Sequence, residues 1–275
     1  MEPGKLIRRR WALASDYWKS LRTARRADFR SVETLCLFVG YPRSGHSLVG
    51  ALLDAHPEAL IAHEQHVLRY VKYGYRRDQI FALLADNSAR EAASGREVTG
   101  YRYAVPGQWQ GRATTLRVIG DKRGGGTIRK LQASPGLLDR LQRRMNLPIR
   151  WIHVIRNPWD NVATIHRRSP GRTLEQAVER YFGMVEGVAW LRAQLPAGEV
   201  CDVHHRDLIA DPRAELERLR GFLGLAPDPA WLEAAAAIVW RAPHRTAHEV
   251  PWPDAVRESI AKQAAKVPFL ADYEF

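Results

Sequence analysis

Three sets of side chains in this sequence have the types and spacing to do chemistry, two by holding anions and one by taking a proton. The first is Gly40-Tyr41-Pro42-Arg43-Ser44-Gly45-His46-Ser47, where two glycines five residues apart flank an arginine and a hydroxyl. The spacing is that of the nucleoside-triphosphate loop G-x-x-x-x-G-K-[ST], with His46 in the lysine position. Without that lysine the usual grip on β- and γ-phosphates is missing, which weakens an ATP-hydrolysing reading. The positive charge stands instead at Arg43, inside the turn. The second set is Arg156 with Thr164 eight residues on, a planar guanidinium fork and a neutral hydroxyl suited to a second anion. The third is Glu64, within His63-Glu64-Gln65-His66. Its two flanking histidines are three residues apart, whereas the zinc motif H-E-x-x-H needs four to put both on one helix face. The carboxylate is better suited to accepting a hydroxyl proton.

These residues need elements to hold them. Leu35-Cys36-Leu37-Phe38-Val39 reads as a buried strand leading into the glycine turn, and Leu48 to Ala55 as a helix leaving it. Strand, tight turn and helix start together present unpartnered backbone N–H groups and the positive end of the helix dipole to an anion. Ala59-Leu60-Ile61-Ala62 is a second short strand, with Glu64 just beyond its end. Leu116 to Asp121 reads as a strand ending in aspartate, a weak likeness to a magnesium-binding strand end that we read against. Arg150 to Ile155 is a further strand, and Pro158 opens the helix that carries Thr164. A helix over 128–145 is interrupted at Pro135-Gly136. A long helix spans Arg172 to Leu195, a strand Glu199 to His204, and Asp211-Pro212 starts another helix. Residues 87–111 are polar and irregular, with Tyr101, Tyr103 and Trp109; such loops on a rigid scaffold are expected to carry substrate selectivity.

At 275 residues the chain suffices for one large α/β domain. No 18-residue apolar run is present and no signal peptide is recognisable at the basic N-terminus, so a cytoplasmic protein is expected. Cys36 and Cys201 lie in strand-like runs and read as buried fillers. The formal net charge of +12 fits either polyanion binding or a basic cleft. The arginines are scattered rather than concentrated, which favours the cleft and argues against a nucleic-acid module. Residues 1–34, with Arg8-Arg9-Arg10 and Arg25-Arg26, form a basic extension. The spacing of Trp11, Ala14, Trp18 and Leu21 predicts an amphipathic helix lying on the domain surface, with peripheral contact to an anionic membrane as the alternative.

Pro42-Arg43-Ser44-Gly45-His46-Ser47-Leu48 resembles the 5′-phosphosulfate loop of sulfotransferases that use 3′-phosphoadenosine 5′-phosphosulfate (PAPS). It is most similar to the Pro-Arg-Ser-Gly branch, which includes tyrosylprotein and many bacterial enzymes and mostly has threonine at the position of His46. Leu53-Asp54-Ala55-His56-Pro57 also resembles that family, as do Phe222-Leu223-Gly224-Leu225 and the segment from His205 to Pro212, where His205 replaces a tyrosine. The resemblance runs from about residue 35 to the end, so residues 35–275 are expected to form a single P-loop-type domain of three layers. A mainly parallel sheet of four or five strands would carry helices on both faces, with ligands at the carboxyl ends of the strands.

The resemblance implies roles. Glu64, 21 residues after Arg43, would be the catalytic base. Arg43 and Lys122, in Gly120-Asp121-Lys122, would stabilise the sulfuryl group and the leaving phosphate, although Gly124-Gly125-Gly126 replaces a proline-containing turn. The turn residues Ser44, Gly45, His46 and Ser47 would hold the 5′-phosphate, Arg156 and Thr164 the 3′-phosphate, and Arg245 would close over the nucleotide. PAPS would donate a sulfuryl group to an acceptor hydroxyl on a glycan, lipid, natural product or tyrosine, with no metal called for. Two other readings compete: a P-loop kinase for a small hydroxylated substrate, and a non-catalytic module that binds polyanions through its basic surface.

Overall fold

β1 (Thr34–Val39) is buried along its whole length, as a central strand covered on both faces must be. Leu35, Leu37 and Val39 pack into one core layer while Cys36 and Phe38 pack into another, the two-residue alternation of a pleated strand. The computed structural model describes residues 3–98, 100–242 and 245–275, with side chains from Leu13 onward. The side chains of Arg8, Arg9, Arg10 and Trp11, and all of Pro243 and His244 in the basic C-terminal turn, lie outside the described residues.

Around β1 the chain runs α1 (Pro3–Ala24), α2 (His46–Asp54), β2 (Ala59–His63), α3 (Val67–Lys72), α4 (Arg77–Ala93), the short pair β3 (Glu97–Val98) and β4 (Tyr101–Arg102), β5 (Val118–Lys122), α5 (Gly124–Gln132) and α6 (Leu137–Met145). β6 (Ile149–Ile155), α7 (Pro158–Arg167), α8 (Leu174–Gln194), β7 (Val200–His204), α9 (His205–Ala210), α10 (Pro212–Leu223), α11 (Pro229–Ala237) and α12 (Asp254–Ala264) follow, with a 3₁₀ turn at Thr246–Glu249. Five strands form one sheet in the order β2-β5-β1-β6-β7, and every neighbouring pair is parallel. Residues of α3, α4, α5 and α6 pack on one face, and residues of α2, α10 and α11 on the other. A third cluster, built from α7, α8 and α12, extends the core beside the end of β6.

The strand order sets where a ligand can go. After β1 the chain crosses toward β5 and β2, whereas after β6 it crosses the opposite way, to β7. The carboxyl ends of β1 and β6 therefore flank the point at which the winding reverses, where the diverging connections leave a crevice.

Two sequence expectations need correction. β5 ends on Lys122, one residue beyond the expected aspartate, because its ladder with β2 continues through the His63–Lys122 pair. α1 forms, but Ala14 and Trp18 are exposed, Trp18 at 63%. Its inner face is instead Leu13, Tyr17, Ser20 and Ala24, at helical spacing: Leu13, Tyr17 and Ala24 join the α4-side core, and Ser20 is buried. Tyr75 donates from its hydroxyl to the Leu13 carbonyl, and Gln79 to the Tyr17 carbonyl, fixing that rotation of the helix. Aromatic residues on both faces made the two rotations indistinguishable by spacing. Among the described residues no helix is long and apolar enough to cross a membrane.

Candidate active site

The turn after β1 is built from backbone that most residues avoid. Gly40 and Gly45 have φ of +129° and +102°, and Arg43 takes +72°, a left-handed conformation that costs a non-glycine residue about 1–3 kcal/mol and persists where surroundings enforce it. Ser44 supplies part of that enforcement. Its buried hydroxyl donates to the Tyr41 carbonyl at 2.7 Å and accepts from Asn161 at 3.3 Å, so the side chain braces the loop rather than facing the cleft. Among the described residues the backbone N–H groups of Ser44, Gly45, His46 and Ser47 have no hydrogen-bond partner, and Gly45 is the N-cap of α2. They form an anion cradle.

His46 does not stand in for the missing lysine. Its imidazole turns back under the loop, with Nε2 2.9 Å from the Val39 carbonyl. Burial pushes its pKa down to about 3, so the ring is neutral and donates to that carbonyl. Only its backbone amide faces the anion position. The ring also accounts for Gly124: a Cβ there would lie 2.7 Å from two His46 ring atoms. The histidine in the loop and Gly124, the first glycine after β5, are therefore parts of one packing solution.

The charge that His46 lacks arrives from the neighbouring strand. Lys122, nearly buried, crosses α2 at Gly50, where a Cβ would come within 2.8 Å of its Cγ. Its Nζ reaches Ser47 Oγ at 3.1 Å, His63 Nε2 at 3.2 Å and Glu64 Oε1 at 3.3 Å. Burial lowers the Lys122 pKa and Glu64 opposes that shift. His63, held neutral by burial and by Lys122 with a pKa of about 4, accepts from the ammonium.

Glu64 sits just past the end of β2 with φ +54°. Its other oxygen meets Arg123 at 3.2 Å. Burial raises its pKa, but the fields of Lys122 and Arg123 outweigh this and hold it below the ordinary glutamate value. The carboxylate is therefore ionised near neutral pH and able to take a proton. The turn that carries it is fixed by Asp121, whose two oxygens accept from the backbone N–H of Gln65 at 2.9 Å and of Val67 at 3.1 Å. Asp121 is thus spent on architecture.

Arg156, beyond β6, donates toward the Arg43 carbonyl at 3.5 Å and Thr246 Oγ1 at 3.4 Å, with Asp160 at 3.8 Å. Thr164 lines the same cleft, with its hydroxyl proton directed to the Asp160 carbonyl at 2.8 Å; to donate to a ligand it must rotate. Arg245 is exposed before the 3₁₀ turn, and Thr246, not Arg245, lines the cleft. The structure thus brings Thr246, rather than the expected Arg245, to the cleft.

One open cleft of ≈ 1370 Å³ joins these groups. Across its floor, in strand order, lie Glu64, Lys122, the glycine turn, Arg156 and His205. Its rim includes Tyr101 and Tyr103, whose rings stack at 6.3 Å, and Trp240, edge-on to Tyr101. Among the described residues nine cationic side chains line it against two carboxylates, Glu64 and Glu249, so it attracts anions.

Residues 145–229, which span β6, α7, α8, β7 and α10, match the model of the sulfotransferase family. The matched stretch contains Arg156 and Thr164 and excludes the glycine turn. Among solved structures it is similar to the sulfotransferase domain from the curacin biosynthetic pathway, with a TM-score of 0.56 and 14% identity over 89% of this chain and 98% of that one. It is also similar to sulfotransferase STF9 from Mycobacterium avium, with a TM-score of 0.53 and 12% identity over 96% and 81% of the two chains. At these identities the likeness is one of fold, a P-loop-type α/β architecture. No curated protein sequence matches the chain.

The fold brings the turn, Glu64, Lys122 and Arg156, each singled out from the sequence, to one cleft. Sequence reasoning missed His63 as a Lys122 partner, Asp121 as the brace for the Glu64 turn, and Gly50 as the crossing point. The signals for the first two were adjacent, in His63-Glu64 and Asp121-Lys122. Asn161 and Thr246 gave none.

Proposed function

We propose that this protein transfers a sulfuryl group from 3′-phosphoadenosine 5′-phosphosulfate to an acceptor hydroxyl. The carrying observation is the pair of anion positions on either side of the sheet's reversal point, with an ionised carboxylate on the far side of the first. The donor has two anionic ends, and the residues fit them: unpartnered amides of Ser44 to Ser47 suit the 5′-phosphate, and Arg156 with Thr164 suits the 3′-phosphate. The faces of Tyr101 and Tyr103, on the rim near these arginines, suit a purine ring.

In this reading Glu64 accepts the acceptor's hydroxyl proton as its oxygen bonds to sulfur. The bond from sulfur to the 5′-phosphate oxygen breaks, and its electron pair leaves with 3′-phosphoadenosine 5′-phosphate. Lys122, poised between Ser47 and Glu64, and Arg43 stabilise the charge that grows on the sulfuryl and leaving oxygens. Such fixed donors make the larger contribution, while a general base adds about 10²–10⁴-fold. His63 and Asp121 position Lys122 and Glu64. The acceptor is a hydroxyl compound, and a cytoplasmic location fits the free cysteines Cys36 and Cys201.

Calorimetric titration with 3′-phosphoadenosine 5′-phosphate, beside ATP with magnesium, tests the donor. The expected result is micromolar binding of the bisphosphate, lost in Arg156→Ala. Preference for ATP with magnesium would replace this reading with a kinase, and binding of neither nucleotide would overturn both.

A further inference from the structure

The cleft holds more positive charge, and more room, than the donor uses. A single ligand site usually measures about 300–1,000 Å³, whereas this one is ≈ 1370 Å³. The donor positions lie at the ends of β1 and β6. On the other side of the glycine turn, next to Glu64, the wall is made by α5 and α8. Gln132 of α5 donates to the Gly183 carbonyl of α8 at 3.0 Å. One turn back along each helix from that contact stand Arg129 and Arg180, and both line the cleft. Neither side chain has a carboxylate or hydrogen-bond partner among the described residues. Most other cations of the cleft are committed: Lys122 and Arg123 to Glu64, Arg167 to Glu249, and Arg156 to Asp160 and Thr246. At the entrance of α5 the backbone N–H groups of Gly124, Gly125 and Gly126 also lack partners among the described residues, and these glycines line the same wall.

We propose that the acceptor carries a phosphate or sulfate group as well as the hydroxyl that is modified, and that Arg129 and Arg180 seat this group between α5 and α8. The inference rests on the sulfuryl-transfer reading and names the class of its acceptor. Like charges facing one cleft without a counter-ion repel each other, and a bound oxyanion turns that repulsion into attraction. Burial lowers the pKa of Arg180, and the nearby Arg129 and Arg172 lower it further, which places the two arginines in each other's field. Arg123, in the field of Arg129 as well as paired with Glu64, links the anion position to the base. A neutral acceptor would leave this wall without a counter-charge; an anionic one is oriented by it, with its hydroxyl toward Glu64.

The test uses the full chain saturated with 3′-phosphoadenosine 5′-phosphate, so that the donor's anion positions are filled, and titrates it calorimetrically with inorganic pyrophosphate. The expected result is one saturable site, weakened at least about ten-fold in the Arg129→Gln/Arg180→Gln double variant, the size expected from losing charge-assisted hydrogen bonds. Affinity for the bisphosphate nucleotide should stay within about two-fold in that variant, since α5 and α8 carry neither the glycine turn nor Arg156 and Thr164, and this also reports that the variant is folded. Absence of pyrophosphate binding to the loaded protein overturns the inference, as does equal binding by wild type and double variant. Failure of the nucleotide itself to bind wild type overturns the donor reading instead, and is seen before pyrophosphate is added.

Discussion

Replacing Gly124 with alanine sets a methyl group 2.7 Å from Cε1 and Nε2 of His46 and 3.2 Å from Cδ2. The ring has little room to yield, because it is 7% exposed and tied to the Val39 carbonyl at 2.9 Å. Overpacking of this kind costs about 1–3 kcal/mol. Stiffening the unfolded chain by removing a glycine offsets about 0.4–1 kcal/mol of that, which leaves a net destabilisation of about 0–2.6 kcal/mol. The assay is urea unfolding followed by tryptophan fluorescence in wild type, Gly124→Ala, His46→Ala and the double variant. His46→Ala removes the obstacle, so Gly124→Ala should cost nothing or stabilise in that background, giving a coupling of at least about 1 kcal/mol. Equal costs in both backgrounds would refute the claim that the ring dictates the glycine.

The remaining predictions concern the charged centre. Gly50→Ala should raise the helix propensity of α2 yet push the Lys122 stem aside; we expect bisphosphate binding to persist while turnover of labelled PAPS falls, and unchanged turnover would remove Lys122 from the mechanism. Glu64→Gln should keep nucleotide affinity and lose about 10²–10⁴-fold in turnover; a loss of only a few-fold would dismiss Glu64 as base. Since the ionised form is the active one and its pKa lies below the ordinary 4.5, activity should hold as pH falls from neutrality and decline only below that value. Arg123→Gln withdraws one stabilising field and should shift this acid limb upward; a limb that stays put would mean Arg123 does not set it. Asp121→Asn leaves the amides of Gln65 and Val67 with poorer acceptors, so it should lower stability by about 1–3 kcal/mol and turnover with it, measured by urea midpoint and labelled transfer.

Much of the fold was legible because its signals are local. Leu35 to Val39 followed by two glycines declares strand, turn and helix within one window, and Arg156-Asn157-Pro158 does the same after β6; Asn157 indeed caps α7 by accepting from Trp159 and Asp160. What could not be read depends on contacts distant in sequence. Nothing near His46 announces that its ring will occupy the space beside Gly124. Asp121 resembled a metal-ligating strand end, and only the parallel pairing of β2 with β5 shows its carboxylate under the Glu64 turn. The sidedness of α1 was set by Tyr75 and Gln79, which no periodicity within the helix can reveal. Arg245 was expected to close over the nucleotide through the resemblance alone, yet the backbone between it and Thr246 decides which of the two lines the cleft.

The displacement of positive charge from the loop to Lys122 bears on how such a site can change over generations. Where a loop carries its own lysine, one residue both grips the nucleotide and drives the reaction, so any substitution alters the two together. In the function proposed here the amides of Ser44 to Ser47, after β1, would grip the nucleotide, while the ammonium comes from β5. On that proposal selection can adjust the speed of transfer through Lys122, His63 or Gly50 while nucleotide affinity stays fixed, and a lineage can lose turnover yet keep a nucleotide-binding protein fit for other work.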